Sequence, residues 1–95
     1  MLTDKNTARK YLASSLDIAR RDLARAGERF AALPEKDYIG REVARHFGYR
    51  DFARAAGKID FALQMGVLDG EEFCAMQDDL FKYFSELFYP DYVNA

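Results

Sequence analysis

Apolar residues in the first third of this chain recur every three or four positions, which is the spacing of one face of an α-helix. The stripe consists of Ala8, Leu12, Leu16, Ala19, Leu23, Ala26 and Phe30. Charged side chains fill the opposite side, so we expect the stripe to face a core. Thr3 or Asp4 can cap this helix, which is predicted over about residues 4–33. Tyr11 and Ile18 lie about a quarter-turn outside the stripe and are predicted to contact the C-terminal tail or another molecule.

A second helix is predicted over about residues 35–47. Pro34 disfavours the α conformation at the residue before it and suits the first turn of a new helix. Gly48 is a suitable C-terminal stop. The apolar edge of this short helix consists of Ile39, Val43 and Phe47, and Ala44 widens it.

A third helix is predicted over about residues 51–65. Asp51 is a suitable N-cap, and Gly66 can take the left-handed conformation that ends a helix, with Val67 packing back on the preceding turn. The predicted inward residues are Phe52, Ala55, Ala56, Ile59, Ala62 and Leu63. Gly57 lies in the middle of this helix, where glycine costs about 1 kcal/mol relative to alanine. We therefore expect close contact with another helix at Gly57.

The start of a fourth helix, over about residues 70–88, has the clearest local signal in the chain. Asp69 is a suitable N-cap, and Glu72 follows three residues later, as a capping box requires. Leu68 and Phe73 occupy the two positions of a hydrophobic staple. The junction therefore fixes which residues share a face of the fourth helix.

The apolar arc of this fourth helix covers about half of its circumference, more than the roughly 100° that the edge of a small bundle buries. The arc consists of Phe73, Cys74, Met76, Leu80, Phe81, Tyr83, Phe84, Leu87 and Phe88. Something must cover the surplus. The aromatic tail at residues 89–93, which turns at Pro90, can fold back onto the helix, and a second protein chain is the alternative.

These elements predict an all-α fold: a single-domain bundle of about four helices, approximately 4–33, 35–47, 51–65 and 70–88, with a short C-terminal aromatic tail. The chain has 95 residues, of which 49% are hydrophobic and 32% are charged, and this composition is typical of one small folded domain. The net charge is −2 but is unevenly distributed. Residues 1–68 carry an excess of four positive charges, and residues 69–95 an excess of six negative charges. Charged surfaces are therefore candidates for binding a partner.

No residue pattern indicates catalysis, a metal or a cofactor. The single histidine, His46, has no partners at zinc-site spacing, and Cys74 among apolar neighbours is predicted to be an inert, packed thiol. We expect a protein that is not an enzyme and holds no cofactor. One cysteine, no signal-peptide pattern and no apolar run of membrane-spanning length favour a cytoplasmic location.

The stretch from Arg41 to Phe52 superficially resembles a helix-turn-helix motif, because Ala44 and Gly48 have that family's spacing. The resemblance implies nucleic-acid contacts through basic residues of the region. These are Arg45, Arg50, Arg54 and Lys58. The sequence departs from the motif at Arg54, where a buried aliphatic residue is expected, and its pI of about 5.3 is low for a DNA-binding domain.

The leading hypothesis is a non-catalytic protein-protein interaction or accessory module, which binds either another protein or a second copy of itself as a homodimer. The wide apolar arc of the fourth helix motivates this hypothesis. The predicted interface residues are Tyr11, Ile18, Phe81, Tyr83, Phe88 and Tyr92. DNA binding through residues 41–58 is one alternative, and a small inhibitor or accessory protein of a mobile element is another.

Overall fold

The computed structural model describes residues 4–93, which form three long α-helices and a short one. The helices are α1 (Lys5–Ala32), α2 (Tyr38–Gln64), α3 (Gly70–Phe88) and α4 (Pro90–Val93). Residues 4–93 contain no β-strand. The all-α prediction is therefore confirmed, but the chain divides into helices differently from the prediction.

The predicted break between a second and a third helix is wrong, because α2 continues through Gly48 without interruption. Gly48 is buried within the helix, and Gly66 is the residue that takes a positive φ in the described part of the chain. A Cβ atom at position 48 would lie 2.2 Å from Cζ of Phe88. Gly48 therefore admits an aromatic ring against the helix backbone and does not end the helix.

The predicted end of α2 at Gly66 is confirmed in detail. Gly66 has a φ of 75°, and its N–H donates to the carbonyl of Leu63 over 3.1 Å. The N–H of Val67 donates to the carbonyl of Ala62 over 2.9 Å. These two bonds form a Schellman motif, which satisfies carbonyl groups that the end of the helix would otherwise leave unpaired.

The predicted capping box at the start of α3 is also present. The N–H of Glu72 donates to Oδ1 of Asp69 over 2.8 Å, and the N–H of Asp69 donates to Oε1 of Glu72 over 3.1 Å. The Arg9 guanidinium donates to both Glu72 oxygens, over 2.7 and 2.8 Å. The backbone N–H of Asp69 and the Arg9 side chain lower the pKa of Glu72, because both stabilise its ionised form. Glu72 thus caps α3 and links it to α1.

The three long helices form an up-down-up bundle. The Arg9–Glu72 pair joins the starts of α1 and α3, and Gly27 meets Leu87 near their ends. α3 therefore runs parallel to α1, while α2 runs antiparallel to both. The buried core draws on all three helices and the α2–α3 junction, and it consists of Ala8, Leu12, Ala19, Leu23, Ala26, Phe30, Ala55, Ile59, Ala62, Val67, Leu68, Leu80, Phe84 and Phe88.

The C-terminal tail, one of the two predicted covers for the fourth helix, packs against the end of the bundle only through Tyr89, and Tyr92 is 82% exposed. The Tyr89 ring lies 6.1 Å from that of Phe84. The Arg45 guanidinium lies 4.9 Å from the Phe30 ring and 4.8 Å from the Tyr89 ring, and its Nε donates to the carbonyl of Phe88. The tail therefore covers only the end of α3 and does not reach the middle of that helix.

Candidate protein-interaction surface

Because α2 is one continuous helix, its apolar residues fall on two opposite sides. Each residue advances the helix by about 100°, so Ile39 and Ile59, twenty positions apart, point about 160° away from each other. Ile59 is 1% exposed and faces α1 and α3, whereas Ile39 is 81% exposed. The inner face of α2 carries the buried residues Gly48, Ala55, Ile59 and Ala62.

The opposite side of α2 carries what we call the outer stripe. It consists of the exposed residues Ile39, Val43, Phe47, Phe61 and Met65. The stripe runs from the second residue of the helix to just past its end, a distance of about 39 Å at 1.5 Å per residue. A helix that is apolar on both sides is normally buried on both sides. Within residues 4–93 the five side chains of the outer stripe are 50% to 81% exposed, and the Arg50 guanidinium lies 5.7 Å from the centre of the Phe47 ring.

The apolar edge predicted from Ile39, Val43 and Phe47 lies on the exposed side of α2, and the short helix that it was assigned to is instead the first half of a longer one. Without a turn at Gly48, the register of α2 is set by the inner-face residues that follow. That register leaves all three side chains at least half exposed, with Phe47 at the edge of the α1–α2 seam.

Beside the stripe, the start of α1 and the second half of α2 enclose an open groove of about 480 Å³. Its apolar wall is formed by Ala8, Tyr11, Leu12, Phe61, Met65 and Val67. Ser15, Arg54 and Lys58 supply its polar side chains. The α1 residues that meet α3, such as Arg9 and Gly27, lie on another side of that helix. The groove therefore opens on the side of the α1–α2 pair that α3 does not occupy.

Gly57 also lines this groove, and the close helix contact predicted for it is absent from residues 4–93. A Cβ atom at position 57 would have no neighbour within 4 Å. At Gly27 and Gly48, by contrast, the corresponding atom would collide with Leu87 and Phe88. Two mid-helix glycines are thus explained by internal packing, and Gly57 faces open space.

The surface around the groove is basic. Arg54 and Lys58 are exposed and take no part in the ion pairs formed within the described residues, which are Arg9–Glu72, Arg20–Asp79 and Arg45–Glu42. Further along the α1–α2 seam, a smaller polar pocket is lined by Asp22, Arg25, Arg29, Phe47, Arg50 and Asp51. Across both pockets, basic side chains outnumber acidic ones.

Two of the predicted interface residues lie on this side of the molecule. Tyr11 is 77% exposed and forms part of the groove, and Ile18 is exposed two turns further along α1. The C-terminal tail packs at the opposite end of α1, so it does not contact Tyr11.

The other four predicted interface residues do not form one surface. Phe88 is 0% exposed, packed against Phe30 with 5.4 Å between ring centres, so its assignment to an interface is wrong. Tyr83 is partly covered by the Arg20 guanidinium, 4.9 Å from its ring. Phe81 and Tyr92 remain exposed. The apolar arc of α3 is therefore buried at Leu80, Phe84 and Phe88, whereas Cys74 and Phe81 at its edge remain exposed.

Of the four basic residues proposed for nucleic-acid contact, Arg50, Arg54 and Lys58 are exposed and lie within about 80° of one another around α2, whereas Arg45 lies apart from them. Arg45 is engaged by Glu42, by the Phe88 carbonyl and by two aromatic rings. Arg50, five residues later, points about 140° away from Arg45. The turn on which the helix-turn-helix resemblance depended is absent, since residues 38–64 form one helix.

The described residues contain no group of three or more His, Cys, Asp or Glu side chains placed to hold a metal ion. His46 is exposed on α2, with its ring edge-on to Phe47. Cys74 is exposed, so the prediction that it packs into the core is wrong. Its position on α3 lies outside the arc that α1 and α2 cover.

Sequence reasoning missed Phe61 and Met65 as surface residues. Their spacing from Ile39 and Val43 would have revealed the outer stripe if Gly48 had been read as part of a helix.

Within residues 4–93, no helix is long and apolar enough to cross a membrane. Comparisons with protein-family models, curated proteins and solved structures found no match to this chain.

Proposed function

We propose that this protein is a non-catalytic protein-interaction module that binds another protein through the outer stripe of α2 and the adjoining groove. The observation that carries the proposal is the pair of apolar faces on one continuous helix, of which α1 and α3 cover one. Exposed apolar patches that adjoin charged residues, such as the two ends of the stripe on either side of Arg50 and Arg54, are typical of protein-binding sites. The single cysteine fits a reducing, cytoplasmic setting for this role.

Charge at the centre of the outer stripe favours a different protein over a second copy of this chain. Arg50 and Arg54 lie on the same side of α2 as the stripe, between its two apolar ends. In an antiparallel pairing of two copies about the middle of the stripe, Arg50 of one copy would oppose Arg54 of the other. A parallel pairing would place each arginine beside its equivalent. Either arrangement brings like charges together, which disfavours self-association.

The proposal is tested by purifying the tagged protein from its native host and quantifying bound proteins by mass spectrometry. Three versions are compared: the wild type, an outer-stripe variant (Ile39→Gln, Val43→Gln, Phe61→Gln) and a control variant (Phe81→Gln, Tyr92→Gln). Glutamine supports helices, and all five positions are exposed, so both variants should keep the fold, which circular dichroism checks.

We expect at least one protein that the wild type and the control retain and that the outer-stripe variant loses. Retention by the outer-stripe variant of every protein that the wild type binds would contradict the proposal. The same is true if no protein is enriched, or if the control loses binding equally.

A further inference from the structure

The shape of the groove suits an α-helix as its occupant. The groove lies between two antiparallel helices, on the side of the α1–α2 pair that α3 leaves open. Helices pack into such grooves with axes about 8–10 Å apart, and a fourth helix here would complete a four-helix arrangement. The exposed stripe on α2 continues past the groove and would guide the same helix along about 39 Å.

Gly57 marks the point of closest approach. Glycine in an exposed helix interior costs about 1 kcal/mol relative to alanine, and no side chain in residues 4–93 uses the space that its missing Cβ leaves. Leu87 and Phe88 show how this fold uses the other two mid-helix glycines, each admitting a large apolar side chain. By the same logic, Gly57 provides room for a large apolar side chain of the partner.

The charges of the groove indicate which residues the partner should carry beside its apolar side chain. Arg54 and Lys58 lie one turn apart on the groove, on either side of Gly57 in sequence, and neither takes part in an ion pair within residues 4–93. A helix seated over Gly57 would bring the residues beside its apolar side chain close to these two cations. Acidic residues at those positions would be attracted, and basic residues repelled.

We infer that the groove binds an acidic amphipathic helix of another protein, with a large apolar side chain over Gly57 and carboxylates opposite Arg54 and Lys58. This inference rests on the proposed function and specifies the chemistry of its partner. Nucleic acid is the competing polyanion. The apolar wall of the groove and the diversion of Arg45 into internal contacts favour the helix.

The test is a selection from a displayed library of helix-forming peptides about 20 residues long, which span about 30 Å. Leucine or phenylalanine occupies positions spaced three and four apart, and each flanking position is randomised equally among Glu, Lys and Gln. The full-length protein serves as the target. Enriched peptides are then synthesised and their affinities measured by fluorescence anisotropy, in parallel with a labelled DNA duplex and a single-stranded RNA of similar length.

Two variants alter the groove, a third is a charge control, and the outer-stripe variant (Ile39→Gln, Val43→Gln, Phe61→Gln) reports dependence on the stripe. Arg54→Glu with Lys58→Glu reverses the charge of the groove, and Gly57→Leu fills it while improving helix propensity. Lys10→Glu with Arg21→Glu makes the same change in net charge at exposed positions of α1 that line no described pocket. Circular dichroism confirms that each variant is folded.

We expect enriched peptides to prefer Glu over Lys at the flanking positions. Their affinity should fall by about tenfold or more with the reversed-charge groove and with Gly57→Leu, and change little in the control. Replacing Glu by Lys in a selected peptide should restore binding to the reversed-charge variant.

Peptides that depend on the outer stripe but show no charge preference would overturn the inference and leave the proposed function standing. If no enriched peptide depends on the stripe or the groove, both fail. Tighter binding of DNA or RNA than of any peptide, with loss in the reversed-charge variant, would also overturn the inference.

Discussion

The inner and outer faces of α2 have similar apolar side chains but opposite surroundings. Ile59 on the inner face is buried by α1 and α3, whereas Ile39 on the outer face is exposed to solvent. Hydrophobicity alone does not distinguish the two residues. The difference shows that an apolar face becomes core only where the fold supplies a neighbour, and that the second face of α2 has side chains exposed to solvent.

The largest difference between the faces should appear when the phenylalanine of α3 that packs against the inner face of α2 is compared with a phenylalanine of the outer stripe. Phe88→Ala removes the ring that packs against Gly48 on the inner face, and we expect a loss of about 3–5 kcal/mol in the free energy of unfolding. Phe61→Ala on the outer stripe should cost less than about 1 kcal/mol, because the ring is 59% exposed. Urea denaturation measures both, and comparable losses would contradict the assignment of faces.

A loss of 3–5 kcal/mol is a large share of the roughly 5–15 kcal/mol that stabilises a domain. Phe88→Ala could therefore be partly unfolded at 37 °C. Denaturation should accordingly start from the folded protein at low temperature, with Phe88→Leu as the milder version of the same change.

The second prediction concerns Gly48. Alanine at this position would place its Cβ atom 2.2 to 2.7 Å from three carbons of the Phe88 ring, so we expect Gly48→Ala to destabilise the protein by about 1–3 kcal/mol. Adding Phe88→Leu should recover part of that loss, because the smaller side chain relieves the collision. If Gly48→Ala is neutral or stabilising by thermal denaturation, Phe88 does not pack against α2 as described.

The third prediction has the opposite sign on the outer face. Gly57→Ala should stabilise the protein by about 0.5–1 kcal/mol, because alanine favours the helix and its Cβ would meet nothing within 4 Å. The midpoint of chemical denaturation measures the change. A destabilised Gly57→Ala protein would mean that some part of the chain packs against Gly57.

The smallest expected effect on stability comes from the Arg9–Glu72 contact, which joins α1 to α3. These are the two helices that pack against the inner face of α2. Folding lowers the pKa of Glu72 below its ordinary value of 4.5, mainly through the Asp69 backbone N–H and Arg9. The contribution of ionised Glu72 to stability is therefore fully present above about pH 4.5 and is lost as the pH falls through the lowered, folded-state pKa.

Glu72→Gln keeps a side chain that can complete the capping box but removes the charge. We expect this variant to be less stable than the wild type at pH 7, with the difference shrinking as the pH falls below 4.5. Thermal denaturation between pH 7 and pH 3 measures it. A difference that grows on acidification would contradict the assigned pKa direction.

The sequence predicted the α2–α3 junction correctly because its signals are local. Gly66 and Asp69 act through backbone hydrogen bonds to residues within four positions, so their roles can be inferred without knowing the rest of the fold. The same locality explains why the start of α1 at Asp4 was anticipated. Helix ends of this kind are encoded in a few adjacent residues.

The sequence did not reveal the outer stripe, because that surface depends on tertiary packing. Glycine is the residue type expected at a helix terminus, so Gly48 resembles one in the sequence. In the fold, the ring of Phe88, forty positions away, packs against Gly48. A break at Gly48 would divide α2 into two helices with independent orientations, and Ile39 and Ile59 could then both face one core. The wide arc of α3 was real, but whether Phe88 faced a partner or the core depended on how α1 and α2 approach each other.

The continuity of α2 through Gly48 is what places the outer stripe opposite the core. NMR of the full-length protein can test it through Cα chemical shifts and amide hydrogen exchange at residues 47–52. We predict helical shifts throughout and amide protection at Tyr49, Arg50 and Asp51 similar to that at Ala55. Non-helical shifts and rapid exchange at residues 49–51 would indicate a turn, would allow Ile39 to face the core, and would contradict the account.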